Sequence, residues 1–127
     1  MYETHREKII QDYITAYNHF DVERMIANLD NNIHFENISN GVTNMTLEGL
    51  ASFKEQAENA KHFFSKRTQT IISCKHLGSE TEIEITYHAI LATDFPNGLK
   101  KGDELNLQGK SIFKFSGDSI ISLTDIS

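Results

Sequence analysis

Residues 82–91 read EIEITYHAIL, and this strict alternation of polar and apolar side chains decides how the second half of the chain folds. The apolar face of the alternation carries Ile83, Ile85, Tyr87, Ala89 and Leu91. A similar alternation runs through 104–115, and further strands are expected at 66–77 and 120–126. Because glycine-containing turns separate these runs, the sequence predicts an antiparallel sheet built from hairpins.

The first third of the chain has helical periodicity instead. Apolar residues recur at three- and four-residue spacing through 9–20, which predicts an amphipathic helix of about four turns. Thr4 and Glu7 fit a capping box at its start. Asp21 is a suitable N-cap for a second, shorter helix that reaches about Leu29.

A third helix is expected to begin near Gly49, after two short strands at 33–38 and 42–47. Its apolar residues fall at i, i+3, i+7, i+10 and i+14 from Leu50 to Phe64. Since helices precede most of the strands, the pattern predicts an α+β domain with three helices against one face of the sheet.

Composition excludes several functional classes. The 127 residues suit one domain with its own core, and 39% of them are hydrophobic. The net charge is −6 and the basic residues form no stripe, so the sequence predicts no nucleic-acid partner. No apolar run approaches the roughly 20 residues of a membrane span, and no secretory signal is visible, so we expect no membrane partner and a cytoplasmic location. The single cysteine, Cys74, is expected to be a half-buried structural thiol.

Three stretches taken in order give the chain a resemblance to the nuclear transport factor 2-like superfamily, and within it to SnoaL-like domains. They are Tyr13 to Asp21 at the junction of the first two helices, Leu47-Glu48-Gly49 before the third helix, and Gly109 to Phe115 with the hairpin leading to Asp125. The resemblance covers nearly the whole chain. It implies a cone-shaped fold in which a curved sheet wraps the long helix around an apolar pocket, and a homodimer formed through the outer sheet face.

A pocket site should consist of polar residues on otherwise apolar faces. Five residues fit this description: Tyr13, Tyr17, Asn37, Ser111 and Asp125. Aromatic residues on the same faces are expected to contribute to ligand binding, namely Phe35, Phe53, Tyr87 and Phe113. The alternative for the phenylalanines, including Phe115, is that they fill the pocket as core residues.

The resemblance also shows which known catalytic sets are incomplete here. In the ketosteroid isomerases of the superfamily, the base position falls at Asn37 and the protonated acid at Ser111, so neither carboxylic acid is present. Only Tyr13 matches that set. The limonene-type epoxide hydrolases use an Arg-x-Asp pair on a middle strand, and residues 84–89 contain none. Asp125 matches their last-strand acid.

Asp125 is therefore the predicted general acid, as the SnoaL-like cyclases require, with Tyr13 and Asn37 as donors that orient a substrate oxygen. Among apolar neighbours its pKa should rise. The central histidines, His34 and His88, are expected on the outer face of the sheet, and we predict neither a metal site nor a cofactor. The sequence thus predicts a pocket for a small hydrophobic molecule. An interaction or dimerisation domain that uses the outer face stays as the alternative.

Overall fold

The computed structural model describes residues 2–127, apart from the side chain of Tyr2. The elements in chain order are α1 (Tyr2–Asn18), α2 (Val22–Ile26), β1 (Leu29–Ser39), β2 (Val42–Glu48), α3 (Leu50–Ala60), a 3₁₀ turn (Lys61–Phe63), β3 (Phe64–Leu77), β4 (Glu80–Leu91), β5 (Glu104–Ser116) and β6 (Ser119–Ile126). The predicted α+β class with three helices is confirmed. All six predicted strands form, with ends shifted by a few residues.

The six strands form one sheet in the order β2-β1-β6-β5-β4-β3. Four neighbouring pairs are antiparallel, but β1 and β6 are parallel, so the sheet is mixed and the prediction of a wholly antiparallel sheet is wrong for this pair. The reason lies in α3, which returns the chain so that β3 runs in the same direction as β2. Three hairpins then leave β6 parallel to β1.

Several irregularities bend the strands, as extra residues in one strand of a pair generally do. The register shifts between Asn37 and Ile38, between Ile71 and Ser73, and between Lys114 and Phe115. The resulting curved sheet is not closed, and its concave face holds α1 and α3. Gly109 on β5 allows close packing within this sheet, because an added Cβ atom would stand 2.7 Å from the carbonyl oxygen of Ile126.

The helix boundaries follow the sequence signals in part. Asp21 caps α2 by accepting a hydrogen bond from the backbone N–H of Arg24 at 3.2 Å, and Gly49 precedes α3, as predicted. The capping box at Thr4 and Glu7 is wrong, because α1 already includes Tyr2 and both residues lie inside it. The extent of α2 is also wrong. Leu29 is the first residue of β1, whose pairing with β6 outweighs the short helical pattern.

The core lies between α1, α3 and the concave face of the sheet. Its most buried members include Ile10 and Ile14 from α1, Ile33 from β1 and Phe113 from β5. Cys74 is exposed, so the expectation of a half-buried thiol is wrong; β3 is an edge strand of the sheet. Within residues 2–127, no helix is both long enough and apolar enough to cross a bilayer.

Candidate functional site

The concave face of the sheet and the helices enclose a pocket of about 340 Å³, called here the main pocket. Six of the nine predicted site residues line it: Tyr13, Tyr17, Phe35, Asn37, Phe53 and Asp125. Much of the remaining wall is apolar, with Met25, Met45 and Leu47 among its residues. A pocket of this size, mainly apolar with a few polar groups, is typical of small-molecule sites.

A second depression of about 210 Å³, called the side pocket, lies next to the first. It brings in Tyr87 and Ser111, which do not line the main pocket. Tyr17, Asn37 and Asp125 line both pockets, so these three residues stand where the two spaces meet. Of the predicted residues, Phe113 lines neither space. It is fully buried, and its ring packs edge-on against that of Tyr13 with centroids 5.7 Å apart.

Strand register places three of the predicted polar residues side by side. Asp125 on β6 pairs with Asn37 on β1 and with Ser111 on β5. Neighbouring residues on adjacent strands point to the same face of a sheet, so the three side chains form a row across β1, β6 and β5. The period-two patterns of three separate strands predicted this face, and the hairpin turn predicted that β5 and β6 are neighbours, but the sequence contained no sign that β1 lies beside β6.

Asp125 is the carboxylic acid of this row, and it is half-buried at the pocket wall. The hydroxyl of Ser111 donates a hydrogen bond to its Oδ1 at 2.6 Å, and Asp125 forms no ion pair within residues 2–127. Burial raises the pKa of Asp125 to about 6, although the hydrogen bond from Ser111 lowers it in part. This is the direction that the sequence predicted, and it leaves both the acid and its conjugate base populated near neutral pH.

Tyr13 presents its hydroxyl near Asp125. The residue is 8% exposed and lines the main pocket, and in the part of the chain that the structure describes the hydroxyl has no hydrogen-bond partner. Burial, with a smaller contribution from the charge of Asp125, raises the pKa of Tyr13 well above its ordinary value. The phenol therefore stays protonated and can donate a hydrogen bond to an oxygen in the pocket.

Two other polar residues of the pocket, Asn37 and Tyr17, already have partners. The side-chain amide of Asn37 donates to Oδ1 of Asn44 at 2.8 Å, and the hydroxyls of Tyr17 and Tyr87 are 3.0 Å apart. Burial raises the pKa of both phenols. Asn37 and Tyr17 thus shape the boundary between the two pockets, whereas the hydroxyl of Tyr13 is free to donate.

Sequence reasoning missed Arg67 as a site residue, because it stood next to Lys66 in an apparently ordinary basic pair. Arg67 is only 2% exposed and lines the main pocket. Its guanidinium carbon lies 3.7 Å from the ring centroid of Tyr17 and 4.4 Å from that of Phe20. Each such contact contributes about 2 kcal/mol when it is desolvated, which offsets part of the cost of burying the cation. The available signal was the period of two along β3, which places Arg67 on the same strand face as the inward-facing Ile71.

One group of described residues has the composition of a metal site. Glu7, Cys74 and His76 each place a ligand atom within 4.8 Å of the others, near the exposed end of α1 and β3. His76 already contacts Glu7 through Nε2 at 2.8 Å and Thr81 through Nδ1 at 2.9 Å. The group lies on the surface and shares no residue with the main or the side pocket.

No protein-family model and no curated protein sequence matches the chain. Solved structures do match its fold. A candidate polyketide cyclase from Xanthomonas campestris is 18% identical with a TM-score of 0.82, covering 98% of this chain and 90% of its own. A candidate SnoaL-like polyketide cyclase from Jannaschia sp. CCS1 is 8% identical, also with a TM-score of 0.82, over 96% and 84% of the two chains.

A third similar structure, from Catenulispora acidiphila, has a ketosteroid isomerase-like fold and was solved in complex with trimethylamine. It is 13% identical, with a TM-score of 0.75 over 92% of this chain and 82% of its own. The chain therefore has the cone-shaped α+β fold seen in nuclear transport factor 2-like proteins. Since that fold hosts many unrelated activities, the site itself must carry any functional argument.

Proposed function

We propose that this protein binds a small, mostly apolar molecule in the main pocket and acts on it by general acid–base chemistry, as an isomerase, cyclase or hydrolase. The observation that carries the proposal is the half-buried Asp125 at the junction of the two pockets, with the hydroxyl of Ser111 at 2.6 Å. Burial keeps its pKa at about 6, so Asp125 can give or take a proton near neutrality.

In this proposal Tyr13 orients the substrate. Its hydroxyl has no partner among residues 2–127 and is available to donate to a carbonyl or epoxide oxygen. Asp125 then acts as the general acid that gives a proton to that oxygen, or as the base that takes a proton from the carbon next to the carbonyl group or from a water molecule. Asn37 was predicted as a second donor, but its amide already donates to Asn44, so it acts on the substrate only if that hydrogen bond exchanges.

The aromatic walls supply the binding energy. Phe35 and Phe53 line the pocket and pack edge to face with ring centroids 5.6 Å apart, while Tyr87 extends the surface into the side pocket. Contact with such rings favours an apolar ligand body. The residues of the chain require no cofactor for this chemistry. Trimethylamine bound to the structure from Catenulispora shows that one protein of this fold holds a small organic molecule.

The test is a thermal-shift screen of wild type and Asp125→Asn against small hydrophobic carbonyl compounds and epoxides, followed by turnover assays of the hits. A ligand at 100 times its Kd should stabilise the protein by about 2.7 kcal/mol. We expect Asp125→Asn to lower turnover by about 10²- to 10⁴-fold, which is the usual contribution of a general acid or base.

Asp118→Asn is the matched control, because the side chain of Asp118 is 78% exposed in the β5–β6 turn. It should bind and turn over each hit as wild type does. Hits whose binding and turnover are unaffected by Asp125→Asn would contradict the assigned role of Asp125.

The second candidate is the non-catalytic interaction domain, predicted as a homodimer through the outer sheet face. Its support is the exposed apolar surface on the edge strand β3, where Ile72 is 56% and Leu77 is 52% exposed. The same screen separates the two candidates. No hit, with Asp125→Asn as stable as wild type, would favour the interaction domain.

A further inference from the structure

Arg67 on β3 is a permanent cation inside the protein, and no carboxylate neutralises it. A guanidinium stays charged in any protein environment, and Arg67 is 2% exposed. Among residues 2–127 it forms no ion pair with an aspartate or a glutamate. Asp125 lines the same pocket but accepts its hydrogen bond from Ser111. The guanidinium of Arg67 therefore contacts no carboxylate in the described chain.

Only some of the N–H donors of the Arg67 guanidinium form hydrogen bonds within the described chain. Nε donates to the backbone carbonyl of Tyr17 at 2.8 Å, which fixes the side chain against the end of α1. The rings of Tyr17 and Phe20 interact with the cation but accept no conventional hydrogen bond. Nη2 has a 4.0 Å contact with the sulfur of Met25, a weak acceptor, and Nη1 has no acceptor in the described chain. The outer edge of the guanidinium thus retains strong donors beside the pocket.

Arg67 and Asp125 act on the same part of the main pocket. Burial is the main cause of the raised pKa of Tyr13. The charge of Asp125 raises this pKa further, and the charge of Arg67 lowers it. The two charges also have opposite effects on the pKa of Tyr17. A ligand in contact with the two tyrosines would therefore lie within the influence of both the cation and the acid.

We propose that Arg67 binds an oxyanion on an otherwise apolar organic ligand, through the planar edge of its guanidinium. The oxyanion is a carboxylate or the ionised oxygen of an acidic enol, because both match the paired N–H donors of arginine. With this group at Arg67, the apolar body lies along the aromatic wall toward Tyr13 and Asp125. The inference rests on the proposed function, since it names the substrate class of the same pocket.

The experiment compares charged probes with neutral isosteres on the wild-type protein at pH 7.5, by calorimetry and by NMR of the arginine Nε–H signals. One pair is 2-naphthoate and 2-naphthamide, and the other is 4-hydroxycoumarin and 4-methoxycoumarin. We expect the anion of at least one pair to bind at least 10-fold more tightly than its isostere and to shift the Arg67 Nε–H signal. The pair that shows the preference identifies a carboxylate or an enolate as the preferred group.

Arg67→Met retains an unbranched apolar side chain and removes the charge, so it should abolish the preference for the anion over its neutral isostere. Lys66→Met is the matched control, since it removes one positive charge from the exposed neighbour. It should preserve the preference. If Arg67→Met does not fold, the comparison of probe pairs on wild type still decides the matter.

Two results would overturn the inference, and only the second of them would also overturn the proposed function. Neutral isosteres that bind wild type as tightly as the anions would exclude an oxyanion site while leaving the proposed small-molecule pocket intact. A screen in which neither these probes nor any carbonyl compound or epoxide binds would remove the proposed function together with the inference.

Discussion

Two carboxylate environments on the same sheet behave in opposite ways. Asp125 is half-buried at the wall of the main pocket and accepts one hydrogen bond, from Ser111, whereas Glu36 and Glu48 flank His34 on the outer face of β1 and β2. Burial raises the pKa of Asp125 to about 6. On the exposed side the histidine responds instead, since hydrogen bonds to Glu36 and Glu48 raise the pKa of His34.

The comparison indicates that desolvation, and not the number of polar neighbours, raises the pKa of a carboxylic acid in this fold. The exposed group has the richer set of contacts, yet water screens each of them. Asp125 has one neutral hydrogen-bond donor, and the cost of desolvating its charged form opposes its ionisation. Three experiments test this contrast between the enclosed and the exposed regions.

The largest effect should come from removing the packing that encloses the site. Phe113→Ala deletes a fully buried ring that packs against Tyr13, and we expect it to lower the free energy of unfolding by about 3–5 kcal/mol. Leu107→Ala is the matched change on the same strand, where the side chain is 49% exposed, and should cost less than about 1 kcal/mol. Urea denaturation measures both; equal losses would mean that β5 is not enclosed more at Phe113 than at Leu107.

The next effect is the pH dependence that Asp125 imposes on stability. Its folded pKa lies above the ordinary value of 3.8, so the folded state holds the proton more tightly than the unfolded state does. The favourable contribution is full below pH 3.8 and is lost as pH rises through about 6. Relative to wild type, Asp125→Asn should therefore gain about 2–3 kcal/mol in unfolding free energy between pH 4 and pH 7.5.

Glu36→Gln is the control for this measurement, because it replaces a carboxylate by an amide in the exposed group. It should show no comparable gain at pH 7.5. Parallel pH profiles for wild type and Asp125→Asn would mean that Asp125 is solvated in the folded protein.

The smallest effect should come from the exposed group itself. The pKa of His34 is raised above 6.5, so its contribution to stability is present below pH 6.5 and is lost as pH rises through the folded value. The side chain is 36% exposed, and His34→Gln should cost no more than about 1 kcal/mol at pH 6 and less at pH 9. A loss of several kcal/mol would show that this group is as enclosed as Asp125.

Much of the site was predictable because the period-two pattern of a strand shows which side chains share a face. Asn37 and Asp125 each follow apolar residues at a spacing of two, Ser111 lies between Leu107 and Phe113 on its strand, and the structure places all three on one face. Phe113 illustrates the limit of this reasoning. Its period assigns it to the inner face, but only the packing of Tyr13 decides that its ring lies in the core and not on the pocket wall.

Arg67 shows a second limit. A basic residue is exposed in most proteins, so composition argued against an inward position. The rings of Tyr17 and Phe20 and the carbonyl of Tyr17 make that position tolerable, and these partners come from the end of α1 and the segment after it. The period of β3 places Arg67 on the face of Ile71, but no local pattern in β3 identifies the partners that make its burial possible.

Local sequence patterns were sufficient to predict the α+β class, the helices, the six strands and the inward faces of β1, β4, β5 and β6, because periodicity and turn residues act over a few positions along the chain. Only the tertiary structure decided the parallel pairing of β1 with β6, the row formed by Asn37, Asp125 and Ser111, and the burial of Arg67. These features depend on contacts between segments far apart in the chain, which arise only when the sheet curves around α1 and α3.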